Sequence, residues 1–255
     1  MDVSKLKNIA ILILVLVNLT FGLLLLSQRN EKANQIAQTN EEIVSVMRKL
    51  GVSLKAAVIP NETPYNEYRF ARDSEAEAKM ASEFLGETQK SDRGGSIYVY
   101  ESENGRAVFR NGGSIMLQLN SAVGNLERKL ENSGIQCRRT GDLYYGLFEG
   151  RTIFNSTLQF SSVGEGISLN GLCLLGELRQ TTEVKSPGCA AILLRFRELM
   201  FEQGEVFTEI KGIESGYLLI STSSAIELQP VWSIQTDGGS RFVSVVDGSI
   251  VGYGK

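Results

Sequence analysis

Chemistry in this chain would have to run without imidazole, because the 255 residues include no histidine. That removes Ser-His-Asp and Cys-His arrangements, the commonest general base and most zinc or iron sites. The remaining reactive groups are three cysteines and a few close carboxylates. Cys137, Cys173 and Cys189 are widely spaced, with no C-x-x-C, and an odd number permits at most one intramolecular bridge. Cys173 lies in the apolar stretch GLCLLG and Cys189 on the apolar side of a helix start, so they read as small buried hydrophobes. A disulfide between any two of the three is the alternative. Glu101/Glu103 and Glu202/Glu205 resemble a glycosidase dyad in spacing, but they fall at turns or helix ends, where carboxylates are ordinarily solvated. No glycine-rich dinucleotide fingerprint sits between a strand and a helix, and no phosphate-binding G-x-x-x-x-G-K-[ST] occurs. Net charge is −3 and no basic block exceeds Arg138-Arg139, which argues against nucleic acid as a partner. The expectation is a non-enzyme with no catalytic residue, no cofactor, no metal and no identified small-molecule substrate.

The elements around these residues begin with an apolar run from Ile9 to Leu26 that carries no charge. As a helix it would span about 27 Å, close to the hydrocarbon thickness of a bilayer. A secretory apolar region is shorter and ends in a small-residue cleavage site, whereas this run exits through Ser27-Gln28-Arg29-Asn30. It reads as an uncleaved signal anchor, with residues 1–28 forming a cytoplasmic tip and a transmembrane helix and everything after it outside the cell.

Next, Ala33, Ile36, Asn40, Ile43, Met47 and Leu50 recur at alternating three- and four-residue steps, and Gly51 closes the helix. This stripe is either a seam for a partner helix or the face that packs on the protein's own sheet. VSLKAAVIP and YNEYRFARD suit strands, and Ser74–Glu77 looks like a capping box opening a helix with Met80, Ala81, Phe84 and Leu85 on one face. Asn104-Gly105 and Asn111-Gly112-Gly113 mark two hairpins. From residue 121 the order restarts. A helix with Val123, Leu126 and Leu130 inward leads to strands from Gln136 to about Leu175, and a second helix after Ser186-Pro187 leads to strands up to SIVGY. The class is α+β, a duplicated helix-plus-antiparallel-sheet body with units at 29–120 and 121–255.

The opening Met1-Asp2-x-Ser4-Lys5-x-Lys7 before a membrane helix with Asn18-Leu19 resembles the YycI-type two-component regulatory proteins of Gram-positive bacteria. EEIVSVMRKLGVSL, the segment ending Ile59-Pro60, and the closing LQPVWSIQTDGGSRFVSVVDGSIV are similar to that family, the last to the terminal hairpin of YycI/YycH and PepSY-like modules. The resemblance implies a single-pass cell-membrane protein with an extracellular domain. It would contact a sensor histidine kinase controlling the cell envelope, beside a YycH-type partner. The usual aromatic after Met1-Asp2 is Val3 here.

Within the expected membrane helix, Val15, Asn18 and Gly22 share a stripe. An amide in hydrocarbon calls for a partner, and a small residue lets another helix approach. Val15, Asn18, Gly22, Ile36, Asn40, Ile43 and Met47 are therefore the expected partner-helix contacts. The alternative function is an extracytoplasmic PepSY-like binding or inhibitory module acting on a peptidase or wall enzyme.

Overall fold

The structure is a computed structural model that describes residues 18, 35–60, 66–183, 186–221 and 225–254. Apart from Asn18, the expected membrane run lies outside these residues. No helix among the described residues is long and apolar enough to cross a membrane.

The fold is α+β. Among residues 35–254 of the described chain, four α-helices, α1 (35–49), α2 (Ser74–Leu85), α3 (Leu126–Asn132) and α4 (Cys189–Glu202), accompany a sheet of fourteen strands. The strands are β1 (Asn66–Arg72), β2 (Gln89–Asp92), β3 (Tyr98–Ser102), β4 (Gly105–Phe109), β5 (Ser114–Leu119), β6 (Cys137–Thr140) and β7 (Leu143–Phe148). They continue as β8 (Arg151–Val163), β9 (Gly166–Leu172), β10 (Gly176–Glu183), β11 (Ile210–Ser221), β12 (Ile226–Thr236), β13 (Gly239–Ser244) and β14 (Ile250–Gly254). The main path runs β10-β1-β12-β11-β8-β9-β5-β4-β3-β2, with β6–β7 branching from β8 and β13–β14 from β12. Strands of residues 29–120 and 121–255 share this sheet: β1 lies between β10 and β12, and β5 pairs with β9.

The expected antiparallel sheet is in fact mixed. Every strand pairing is antiparallel except β8–β11, which is parallel and pairs Gly216 with Thr152 and Tyr217 with Ile153. Beyond it β9 takes over the same edge of β8, from Leu158 to Val163. Between the two neighbours the side chain of Asn155 substitutes for backbone. Its Nδ2 donates to the Leu219 carbonyl at 2.8 Å, and the Leu219 N–H donates to its Oδ1 at 2.8 Å. Gly216 must be glycine here, since a Cβ would fall 2.4 Å from the Thr152 carbonyl oxygen.

Beneath the joint, Tyr68, Phe148 and Tyr217 meet edge to face with centroids 4.6 to 6.2 Å apart, in a cluster with Ile153 and Leu228. Two larger clusters flank this one. α2 and α3 cover β3–β5, β8 and β9 through Met80, Phe84, Leu85 and Leu130. α1 and α4 cover β12 and β13 through Met47, Ile192, Phe196 and the fully buried Trp232.

Several local readings change. VSLKAAVIP is not a strand: Val52, Leu54 and Ile59 are buried, yet the backbone makes one isolated bridge, Ser53 to Glu209, before a short 3₁₀ turn. Ser74 does not cap α2. Asp73 does, accepting from the Glu75 N–H at 2.8 Å, because Glu77 is drawn to the Arg72 guanidinium instead. EVFTEI is a loop up to Ile210. The polar strands β2 and β10 carry no apolar alternation and had no sequence signal.

Replacing Asn155 by alanine would leave the Leu219 N–H and carbonyl unpaired in a half-buried position. The expected loss is about 1–3 kcal/mol of stability, read as a lower urea midpoint with unchanged slope.

Candidate protein interaction surfaces

The expected contact stripe divides on its way into the body. Asn18 is helical and exposed, while Val15 and Gly22 lie outside the described residues. In α1, residues 35–39 are exposed all round, and Ile36 is 40% accessible. Asn40, Ile43 and Met47 then turn inward, Ile43 and Met47 joining the cluster that holds Trp232 and Phe196. Their three- and four-residue spacing puts them on one face, which the protein's own sheet and α4 cover. The outward apolar residues of this helix end are Ile36, Val46 and Leu50.

The closing segment fixes the terminal hairpin to the body. Trp232 and Ile234 point toward α1 and α4. Asp237, at the turn between β12 and β13, accepts from the Thr208 N–H and hydroxyl and from the Glu209 N–H. These bonds, the Thr208 hydroxyl first, hold its carboxyl down at about 2. Asp247 accepts from the Ser249 N–H and hydroxyl, and Gly248 (φ +73°) brings the next turn against Arg195 of α4. Residues singled out by spacing and turn chemistry thus have holding roles.

No helix among the described residues packs on the opposite face of the sheet. On β12, Ser233 and Gln235 alternate with the inward Trp232 and Ile234, and on β8, Thr157 and Gln159 flank the inward Leu158. These outward residues line a trough of about 990 Å³ that extends from β6 to β14. Its floor holds Phe154 and Phe242, stacked with centroids 5.0 Å apart. Across it, Arg138 of β6 donates to the Thr152 hydroxyl at 3.0 Å and reaches Glu214 of β11 at 3.4 Å. The Thr152 hydroxyl itself donates to Glu214 at 2.9 Å. Nothing in a single strand's alternation announces this surface, because eight strands contribute to it.

The carboxylates with dyad-like spacing are engaged elsewhere: Glu101 pairs with Arg106 at 3.1 Å and Glu205 with Arg241 at 2.6 Å. Among the described residues no group of three or more His, Cys, Asp or Glu is arranged to hold a metal ion. All three cysteines are free thiols. Burial pushes Cys173 and Cys189 up to about 12, and Cys137, half-buried near Glu127 and Glu131, is also raised.

No protein-family model matches the chain, and no curated protein matches it.

Two measurements probe these sites. The Asp237 carboxyl is lowered on folding, so its contribution to stability is present above its ordinary value of 3.8 and lost as pH falls through about 2. Over that window the urea midpoint of the parent protein should fall more steeply than that of Asp237→Asn. In native protein at mildly alkaline pH, a thiol reagent followed by mass spectrometry should leave Cys173 and Cys189 unmodified, and label all three after unfolding.

Proposed function

We propose that this chain is a membrane-anchored regulatory protein that binds and modulates a sensor histidine kinase of a two-component system acting on the cell envelope. In this reading residues 1–28 hold it in the membrane, a duplicated α+β body lies outside the cell, and a YycH-type protein is a further partner. The observation that carries the reading is the seating of α1. Its inner residues Ile43 and Met47 are locked into the core around Trp232, while residues 35–39 stand clear of the body. The sequence between Leu26 and α1 contains neither glycine nor proline. In this reading a displacement made at the membrane reaches the sheet through α1, whose inner face is fixed in that core.

A second reading, an extracytoplasmic PepSY-like module that binds or inhibits a peptidase or wall enzyme, draws on the helix-free trough, a surface suited to recognition.

The test is crosslinking or a two-hybrid signal between the full-length chain and the kinase, normalised to protein level. Asn18→Leu with Gly22→Leu would remove an interhelical hydrogen bond of about 0.5–2 kcal/mol and prevent close approach. Loss of most of the signal is the expected outcome. Full retention, with equal binding by a chain whose first 28 residues are exchanged for an unrelated membrane helix, would reduce the segment to a tether and overturn the contact.

A further inference from the structure

Among the described residues, four strands of the branched sheet pair on one side only: β2, β6, β10 and β14. Three of them are charged, β2 by Lys90 and Asp92, β6 by Arg138 and Arg139, β10 by Glu177, Arg179 and Glu183. Charge on an edge strand deters pairing with another chain. β14 differs. Ile250-Val251-Gly252-Tyr253-Gly254 holds no charge and no proline, and among the described strands it pairs with β13 alone. A bulge against β13 leaves Val251 without a partner residue, and Val251 and Tyr253 are 36% and 64% exposed. The Arg241 guanidinium lies over the Tyr253 ring at 4.6 Å and orients it.

We propose that β14 is a docking edge onto which a partner protein lays an extended segment, extending the sheet by one strand and placing alternate side chains in the trough. Unpaired strand N–H and carbonyl groups are satisfied by another backbone, which makes the ligand a peptide strand. The trough supports this occupant over a second copy of the chain. It is walled on one side by β14 (Tyr253, Gly254) and on the other by β6 (Arg138, Thr140). A peptide adds a single backbone to the edge, whereas a second copy presenting its own β14 would bring β13 with it. Charge defines the segment further. The ionisable residues lining the trough are Arg138, Asp142, Tyr145, Glu214 and Tyr253; the tyrosines are neutral, and Glu214 already engages Arg138, which leaves the Asp142 carboxylate as the charge to be answered. The complementary strand is apolar, to lie along Phe242 and Tyr253, with one basic side chain to answer Asp142. This inference is independent of the kinase reading, since it concerns the face away from α1.

The probe is a synthetic peptide with the sequence of residues 239–246, Gly-Ser-Arg-Phe-Val-Ser-Val-Val, which carries one arginine and already pairs with β14 from the other side within the chain. It is added to the full-length protein in detergent micelles, with binding followed by fluorescence anisotropy and by amide hydrogen exchange. Saturable binding with new protection at Ile250–Gly254 is expected. The same peptide N-methylated at alternate residues should fail to bind, because it cannot donate to the edge. Val251→Lys should weaken binding by about tenfold or more while Val251→Thr should not, since a lysine blunts an edge that threonine leaves open. Equal binding of the N-methylated peptide, protection gained elsewhere, or unaltered affinity in Val251→Lys would each overturn the proposal. So would β14 protection that rises with protein concentration in the absence of peptide, which would identify a second copy as the occupant.

Discussion

The two-residue parallel contact between β8 and β11 is the constraint on which the sheet depends. Without it, the strands reached through β9 and those reached through β11 would have no common neighbour on the main path. Two backbone pairings are a thin connection, and the surroundings reinforce them on both faces. Above, Arg138, Thr152 and Glu214 tie β6, β8 and β11 together. Below, Tyr68, Phe148 and Tyr217 fill the space with edge-to-face rings. At the point where β11 and β9 diverge, Asn155 supplies the donor and acceptor that backbone cannot.

The same problem is solved a second time on β12, with different chemistry. Its first residues, Ile226 to Leu228, pair with β1, and from Val231 onward the same edge pairs with β13. Pro230 stands between, and lacks the N–H that would otherwise face a change of neighbours. A proline in the middle of a long central strand is destabilising in a regular ladder, but here it falls where the ladder has a break. The described helices pack on the face away from the trough. The trough face is left to polar side chains, the Phe154–Phe242 pair, and Leu143, Tyr145 and Tyr253.

Local signals in the sequence were strong where chemistry is local. Asn-Gly and Gly-Gly turns located β3–β5, and the periodicity of Met80, Phe84 and Leu85 located the inner face of α2. The errors share a cause. Ser74 resembled a cap because the pull of Arg72 on Glu77 comes from β1, and VSLKAAVIP resembled a strand because burial alone produces that alternation. The parallel joint had no signal, since it joins strands about sixty residues apart and its sequence markers, Gly216 and Asn155, have many commoner explanations. The α1 stripe was visible as a pattern, but a helix pattern states that a face is apolar without stating what covers it. The trough was invisible for the opposite reason: its polar and aromatic residues come from many strands and individually resemble solvent-facing positions.

Trp232 is the only tryptophan in the chain, and its indole is fully sealed in the cluster that Ile43 and Met47 of α1 help to close. An indole held in apolar surroundings emits at shorter wavelength than one reached by water. The protein therefore carries a built-in optical gauge at the junction between its amino-terminal helix and its sheet. Lifting α1 would register as a red shift of intrinsic emission, whereas occupancy of the far face would leave the colour of that emission unchanged.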